Sequence, residues 1–152
     1  MVERPLELRF VGNVSAEGRD MAQRAGVDHL CTWVPSVPHA EAVREMAAAN
    51  MLMIVIPEVE GAERIVPGKL FEYLAVGRPV LGIGPGTSDV SAILREAGAG
   101  RVFERHDPAA LAAWLGERMR DPGSRPDQER VARYERRALT GQLARVIDPA
   151  RG

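Results

Sequence analysis

The chain has few of the residues on which some protein classes depend. One of its 152 residues is cysteine, and aromatic residues make up only 5%. The single cysteine, Cys31, excludes a disulfide framework and a cysteine-based zinc site within one chain. Because Cys31 lies in an apolar segment, we expect it to be a buried small hydrophobic residue.

A long apolar run and an excess of one charge are also missing. No apolar run approaches the roughly 20 residues of a membrane span, and the first residues lack the apolar stretch of a signal peptide. Twenty basic and 21 acidic residues give a net charge of −1, which offers no electrostatic reason to expect nucleic acid or an anionic membrane as a partner. The candidates for a local basic patch are Arg130, Arg133, Arg136 and Arg137. We therefore expect a cytoplasmic protein without an integral membrane segment.

Strand-like and helix-like segments alternate along the chain. Strands are predicted over Leu6–Gly12, His29–Val34, Met51–Ile56, Pro79–Gly84 and Arg101–Glu104. Helices are predicted over Ala16–Ala25, His39–Ala49, Lys69–Val76, from a Ser88 or Asp89 cap to Gly98, from Asp107 to Arg120, and over Asp127–Ile147. This order predicts an α/β fold, with residues 1–152 forming one domain on a single Rossmann-like, doubly wound parallel sheet. Within residues 125–147, the last helix is expected to break near Thr140–Gly141.

The most apolar segment, Met51–Ile56, and the loop after it occupy the middle of the chain. Uniformly apolar residues predict a parallel strand that is covered on both faces. The loop Pro57–Val66 is long for a strand-to-helix connection, and such loops in compact domains are usually functional or disordered. Its glutamates lack companion ligands at fixed spacing, so we interpret Glu58, Glu60 and Glu63 as a solvated loop face and expect no metal site.

The stretch Ile65–Val80 is where a ligand is most strongly indicated. Its helix begins after Pro67–Gly68, where free amides and the positive end of the helix dipole favour an anion such as a phosphate. Helical spacing predicts that Lys69, Glu72 and Tyr73 share the exposed face. The residues expected on the buried face are Leu70, Phe71, Leu74 and Ala75. Spacing alone equally allows a plain surface ion pair between Lys69 and Glu72.

A resemblance adds to this pattern. PGKLFEYLAVGRPVL resembles the signature of the group 1 glycosyltransferases of GT-B fold, in their carboxyl-terminal, donor-binding domain. The similarity covers roughly positions 6 to 120. LELRFVGNV resembles the family's early strand, HLCTWVPSVPHAEAVREMAAANMLMIVI its base-binding loop, helix and next strand, and PVLGIGPGTSDVSAILREAGAGRVF the tail of the fold.

The resemblance implies a role for each matching residue. It assigns Glu72 to the ribose hydroxyls of the nucleotide, and Val66, Gly68 and Lys69 to the diphosphate and donor sugar. The loop Val34–Val37 would pack on the base. Such enzymes move a sugar from a nucleotide-diphosphate donor of the UDP or GDP type to an acceptor hydroxyl, usually with retention and without a bound metal or cofactor.

The chain also departs from the family pattern. An earlier glutamate, eight positions before Glu72, is replaced by Arg64. The amino-terminal domain, which binds the acceptor and is expected to supply the catalytic base, is not recognisable, and no context marks His29, His39 or His106 as catalytic. The expected partner is therefore that domain or subunit, and residues 125–147 are a candidate for packing on it. A lipid acceptor would place the protein at a membrane surface.

Two alternatives remain open at the level of sequence. One is a Rossmann-like interaction module that keeps the fold without catalysis. The other is an NAD-binding domain, because the glycine-rich run Gly82–Gly86 follows a strand and Glu104 stands about twenty residues further on. Pro85 stiffens that turn, and Thr87 and Ser88 stand where the third glycine is expected.

Overall fold

The computed structural model describes residues 6–121 and 126–147. The strands of this described part are β1 (Leu8–Val11), β2 (Cys31–Val34), β3 (Leu52–Val55), β4 (Val80–Ile83) and β5 (Gly100–Phe103). Its α-helices are α1 (Ala16–Arg24), α2 (His39–Ala48), α3 (Lys69–Val76), α4 (Asp89–Glu96), α5 (Pro108–Arg120), α6 (Gln128–Ala132) and α7 (Arg136–Ile147). Short 3₁₀ turns cover Asp28–Leu30 and Ala62–Arg64.

Two compact units divide the chain, Met1–Glu45 and Met46–Gly152. In the first, β1 and β2 pair in parallel with Leu8 opposite Cys31. The rings of Phe10 and Trp33 stack on this sheet with centroids 4.7 Å apart. Cys31 is half-buried rather than buried, and its thiol donates to the carbonyl of Val27.

The second unit is built on a three-stranded parallel sheet in the order β3-β4-β5. Ile54 and Ile56 from the β3 segment, Leu70 and Leu74 from α3, and Leu94 from α4 form its core and are almost fully buried. Burying a side chain of this size contributes roughly 1.5–3 kcal/mol. Helix α4 follows β4 after a short turn, whereas a long loop separates α3 from β3, and Leu70 and Leu74 anchor α3 to this core.

The predicted fold class is confirmed: the protein is α/β with parallel strands, consistent with a Rossmann-like fold. Its described strands lie in two sheets, whereas one continuous sheet was predicted. Helix starts follow the capping signals, since Ser88 accepts from the amide of Ser91 before α4 and Asp107 accepts from the amide of Ala110 before α5.

The prediction that β3 is covered on both faces was wrong. Leu52 and Ile54 are buried, but Met53 and Val55 are 39% and 48% exposed. Successive side chains of a strand point to opposite faces, so the exposed pair lies on one face of the sheet. Apolar composition alone did not reveal that this face is open at β3.

The buried face of α3 was predicted only in part. Leu70 and Leu74 are buried, but Ala75 is exposed and Tyr73 packs partly buried against the core. The core-facing line of the helix runs through Leu70 and Leu74, which are four residues apart, and Tyr73 flanks that line while Ala75 lies beyond it.

The last helical segment breaks earlier than predicted. The amides of Tyr134 and Glu135 donate to carbonyls three residues earlier, and this turn separates α6 from α7. Helix α7 then runs through Thr140–Gly141 without a break. A glycine inside a helix costs only about 0.5–1 kcal/mol relative to alanine, which does not force a break. Residue 125, the first of the predicted C-terminal segment, lies outside the described residues.

Candidate functional site

The start of α3 is the first part of the candidate site. Gly68 is the N-cap residue and no side chain caps the helix. The amides of Leu70 and Phe71 bond to the carbonyls of Pro67 and Gly68, at 2.9 and 3.2 Å. Within the described part of the chain, the amides of Gly68 and Lys69 have no backbone acceptor. These two N–H groups, with the helix dipole behind them, favour a negatively charged group.

Space is available in front of this helix start. A Cβ built on Gly68 would meet no atom within 4 Å. Lys69 and Glu72 are both exposed, and the salt bridges of the described residues do not include a pair between them. Both side chains therefore remain available to a ligand, and the surface ion pair that spacing allowed is not formed.

Glu72 also influences its neighbour. Burial first, and the negative charge of Glu72 second, raise the pKa of the Tyr73 hydroxyl above its ordinary value. Tyr73 therefore stays neutral at physiological pH, and Glu72 is the anionic side chain in the first turn of α3.

The other residues that the resemblance assigns to the donor have different surroundings. Val66 is partly buried and its side chain packs against the core, so any ligand contact from Val66 would come from its main chain. Val34 ends β2 in the first unit, where it pairs with Val11. Val37 is half-buried in the loop after β2.

A pocket of about 490 Å³ lies beside Glu72. We call it the α3 pocket, and its lining consists of Gly68, Phe71, Glu72, Tyr134, Leu139, Thr140 and Leu143. The first three come from the start of α3, and the last three come from α7. The C-terminal helix thus contributes to the lining of the same pocket as Glu72.

Tyr134 is held in place at the edge of the α3 pocket. Its hydroxyl donates to the Glu96 carboxylate at 2.6 Å. Burial, followed by the hydrogen bond to Glu96, raises the pKa of Tyr134 to about 12. The ring is therefore neutral and fixed in orientation, because turning it would break a charge-assisted hydrogen bond.

A second pocket, of about 330 Å³, lies beyond the carboxyl ends of β3, β4 and β5. Its lining includes the glutamates Glu58, Glu60, Glu63 and Glu104, together with Arg105 and His106. Arg105 donates to the carbonyl of Ile56 and lies 3.7 Å from the Glu58 carboxylate. The loop glutamates are exposed, as predicted, although Glu58 pairs with a cation that the sequence did not indicate.

The glycine-rich turn after β4 has a structural explanation. Gly84 has φ +153°, and a Cβ there would stand 2.7 Å from Cβ of Ile56. The Glu104 carboxylate accepts from the amide of Gly86 at 2.7 Å. A carboxylate at this turn repels a pyrophosphate, which is the group that the dinucleotide interpretation would place there.

The remaining candidates are dispersed. Arg64 ends the 3₁₀ turn of the loop before α3 and is exposed, while Ala62 in the same turn is buried and anchors the loop. His29, His39 and His106 are all exposed. Across residues 6–121 and 126–147, no group of three or more His, Cys, Asp or Glu side chains could hold a metal ion.

Sequence reasoning missed the contribution of α7 to the α3 pocket. Leu139 and Leu143 are four residues apart, which places them on one helix face. That spacing gives an apolar face but does not say which element the face meets.

In the described part of the chain, none of the helices is both long and apolar enough to cross a membrane.

No protein-family model and no curated protein matches this chain.

Proposed function

We propose that the chain is the donor-binding half of a glycosyltransferase that uses a nucleotide-diphosphate sugar of the UDP or GDP type. The observation that carries the proposal is the uncapped start of α3, with open space at Gly68 and with Lys69 and Glu72 both exposed and unpaired among the described residues. The motif that resembles the family signature coincides with this helix start. Both the resemblance and the exposed helix start therefore support the proposal at Gly68, Lys69 and Glu72.

The chemical role of this site would be to stabilise a leaving group. Sugar transfer breaks the bond between the anomeric carbon and a diphosphate oxygen, and joins that carbon to the acceptor oxygen. The acceptor proton would pass to a base, which is expected in an amino-terminal domain. The amides of Gly68 and Lys69 and the Lys69 ammonium would stabilise the departing diphosphate, since preorganised donors act on charge as it develops. Glu72 would accept hydrogen bonds from the ribose hydroxyls.

A non-catalytic interaction module is the second candidate. Its supporting observation is that several apolar side chains are exposed, among them Met53, Val55 and Leu143. A module that had lost its site would be expected to tie Lys69 to Glu72, and that pair is not formed among the described salt bridges. Exposed apolar side chains fit a docking role, but they do not explain the open helix start.

Calorimetric titration with UDP- and GDP-sugars tests the proposal. A saturable heat is expected with at least one of them, although the affinity should be low because a cleft between two domains needs both walls. Replacing Glu72 by Ala should weaken binding roughly 10- to 100-fold, since a hydrogen bond to a charged group contributes about 1.5–3 kcal/mol. Glu117→Ala is the matched control, because Glu117 is an exposed glutamate on α5, outside the α3 pocket.

One outcome would contradict the donor-binding function, and another would contradict only the role of Glu72. A folded protein that gives no saturable heat with any nucleotide sugar would overturn the donor-binding function. Equal affinity in the wild type and in Glu72→Ala would remove Glu72 from the site while leaving nucleotide binding in place.

A further inference from the structure

Strand β3 is an outer strand of the three-stranded sheet in the second unit. The amides of Leu52 and Ile56 donate to carbonyls of the β4 segment. Because the main-chain groups of successive strand residues point to opposite sides, those of Met53 and Val55 point away from β4. Neither the sheet pairing nor the other main-chain bonds of the described residues give these groups a partner. We call this outward-pointing side of Met53 and Val55 the β3 edge.

The side chains of the same two residues are exposed. Met53 and Val55 lie on the sheet face opposite the buried Leu52 and Ile54. The edge and one face of the strand are therefore open at the same positions. A polypeptide strand matches both features, since its main chain pairs with the edge and its side chains contact the exposed ones.

The composition of β3 does not protect it from pairing. Proteins commonly protect an open sheet edge with charged side chains or proline. The other edge strands of the described sheets each contain a charged or polar residue, namely Arg9 in β1, Thr32 in β2 and Arg101 in β5. Strand β3 is entirely apolar, and the first proline, Pro57, comes after it. We therefore expect the β3 edge to pair with another strand.

A second copy of the chain presents the same apolar, uncharged edge. A two-fold axis through Ile54 would place Met53 opposite Val55 of the partner subunit in an antiparallel pair. Each such pair exchanges two main-chain hydrogen bonds, because the groups of both residues point outwards. Pro57 lacks an N–H group and so limits the ladder beyond the strand. The two three-stranded sheets would form one six-stranded sheet, and the two-fold symmetry would use up both open edges.

We propose that the β3 edge is a homodimer interface, in which β3 pairs antiparallel with β3 of a second copy. This inference goes beyond the proposed donor-binding function and does not depend on it. Because each copy contributes one short strand, the interface is small and the dimer is weak. The monomer therefore prevails in dilute solution, and the dimer forms as the concentration rises.

Sedimentation equilibrium of the full chain at micromolar to millimolar concentrations tests the proposal. The average mass should rise from the 16.6 kDa of the monomer towards twice that value. Val55→Pro removes an outward-pointing N–H group that takes no part in pairing with β4, and it should weaken dimerisation roughly tenfold or more. Val55→Thr is the matched control. It keeps the N–H group and the branched shape, so the dissociation constant should stay within about threefold of the wild type.

Hydrogen exchange gives a second measurement that needs no variant. The amides of Met53 and Val55 should exchange rapidly in dilute solution and become protected as the concentration rises. The amide of Ile56 already donates to Ile83 within one chain and serves as the internal reference. Circular dichroism checks that each variant is folded.

Three results would overturn the proposal. A monomer mass at every concentration would leave the β3 edge to a different polypeptide. A dimer that is equally stable in folded Val55→Pro, or that leaves the Met53 and Val55 amides exchanging rapidly, would place the interface elsewhere. A mass that keeps growing beyond the dimer would exclude a closed two-fold pair.

Discussion

Gly84 illustrates how a motif residue can be required for packing rather than for a ligand. It follows β4 with φ +153°, a conformation that other residues rarely adopt, and it lies directly against Ile56. Ile56 is fully buried, so its side chain has little room to move away. The glycine-rich run after β4 is thereby explained by close approach of two segments of the core.

Replacing Gly84 by Ala should destabilise the protein by about 1–3 kcal/mol, because the added methyl group would overpack Ile56. Gly116→Ala is the matched control. Gly116 lies inside α5 and a methyl group there would point into open space, so this change should stabilise the helix by about 0.5–1 kcal/mol. Urea unfolding measures both changes. An unchanged free energy of unfolding for Gly84→Ala would contradict this explanation of the glycine.

Residue-level predictions from sequence succeeded where spacing alone decides the outcome. Leu70 and Leu74 are buried and Lys69 and Glu72 are exposed, as helical periodicity predicts. Tyr73 was placed on the exposed face but is partly buried against the core, because the direction of the core-facing line depends on tertiary contacts of the helix. Periodicity locates an apolar stripe only to within about one residue position on either side.

Strand β3 shows how burial differs between the faces of one element. Ile54 belongs to the core at 5% exposure, and Val55 beside it is 48% exposed. The two residues have similar chemistry and adjacent positions, so composition cannot tell them apart. Their contribution to the free energy of unfolding should therefore differ sharply.

Truncation of each residue tests this difference. Ile54→Ala should cost about 2–5 kcal/mol, because it removes core contacts and leaves a cavity. Val55→Ala should change the free energy of unfolding by about 0.5 kcal/mol or less, as for other surface positions. Urea unfolding of the two variants gives the comparison. A loss of several kcal/mol for Val55→Ala would mean that this face of β3 is covered in solution.

Helix ends were predicted well where the signal is local. Ser88 and Asp107 cap α4 and α5 through their own side chains, so a few residues contain all the information needed. The break between α6 and α7 was not predictable in this way. Buried Val131 fixes α6 and the Tyr134–Glu96 hydrogen bond fixes the junction itself, and both are tertiary contacts.

At the scale of the whole molecule, the α/β class follows from the order of its elements, while strand pairing does not. Alternating strands and helices predict parallel strands, and both sheets are parallel. Membership of a sheet depends on contacts between distant segments, which local pattern does not encode. The division into units Met1–Glu45 and Met46–Gly152 is therefore a finding of the structure.

The candidate site shows the same division between local and distant information. The sequence motif around Glu72 indicated the residues that α3 contributes to the pocket. Leu139 and Leu143, about seventy residues further along the chain, form the other side and carry no signature of their own. A site wall built by packing is visible only once the fold is known.

The most direct test of a nucleotide site at the start of α3 is an NMR titration of the ¹⁵N-labelled chain with UDP and GDP. We predict saturable shift changes at the amides of Gly68, Lys69 and Glu72, because these groups would lie closest to the diphosphate and ribose. Changes confined to the Gly84–Gly86 turn, or no changes in a well-folded protein, would contradict the account.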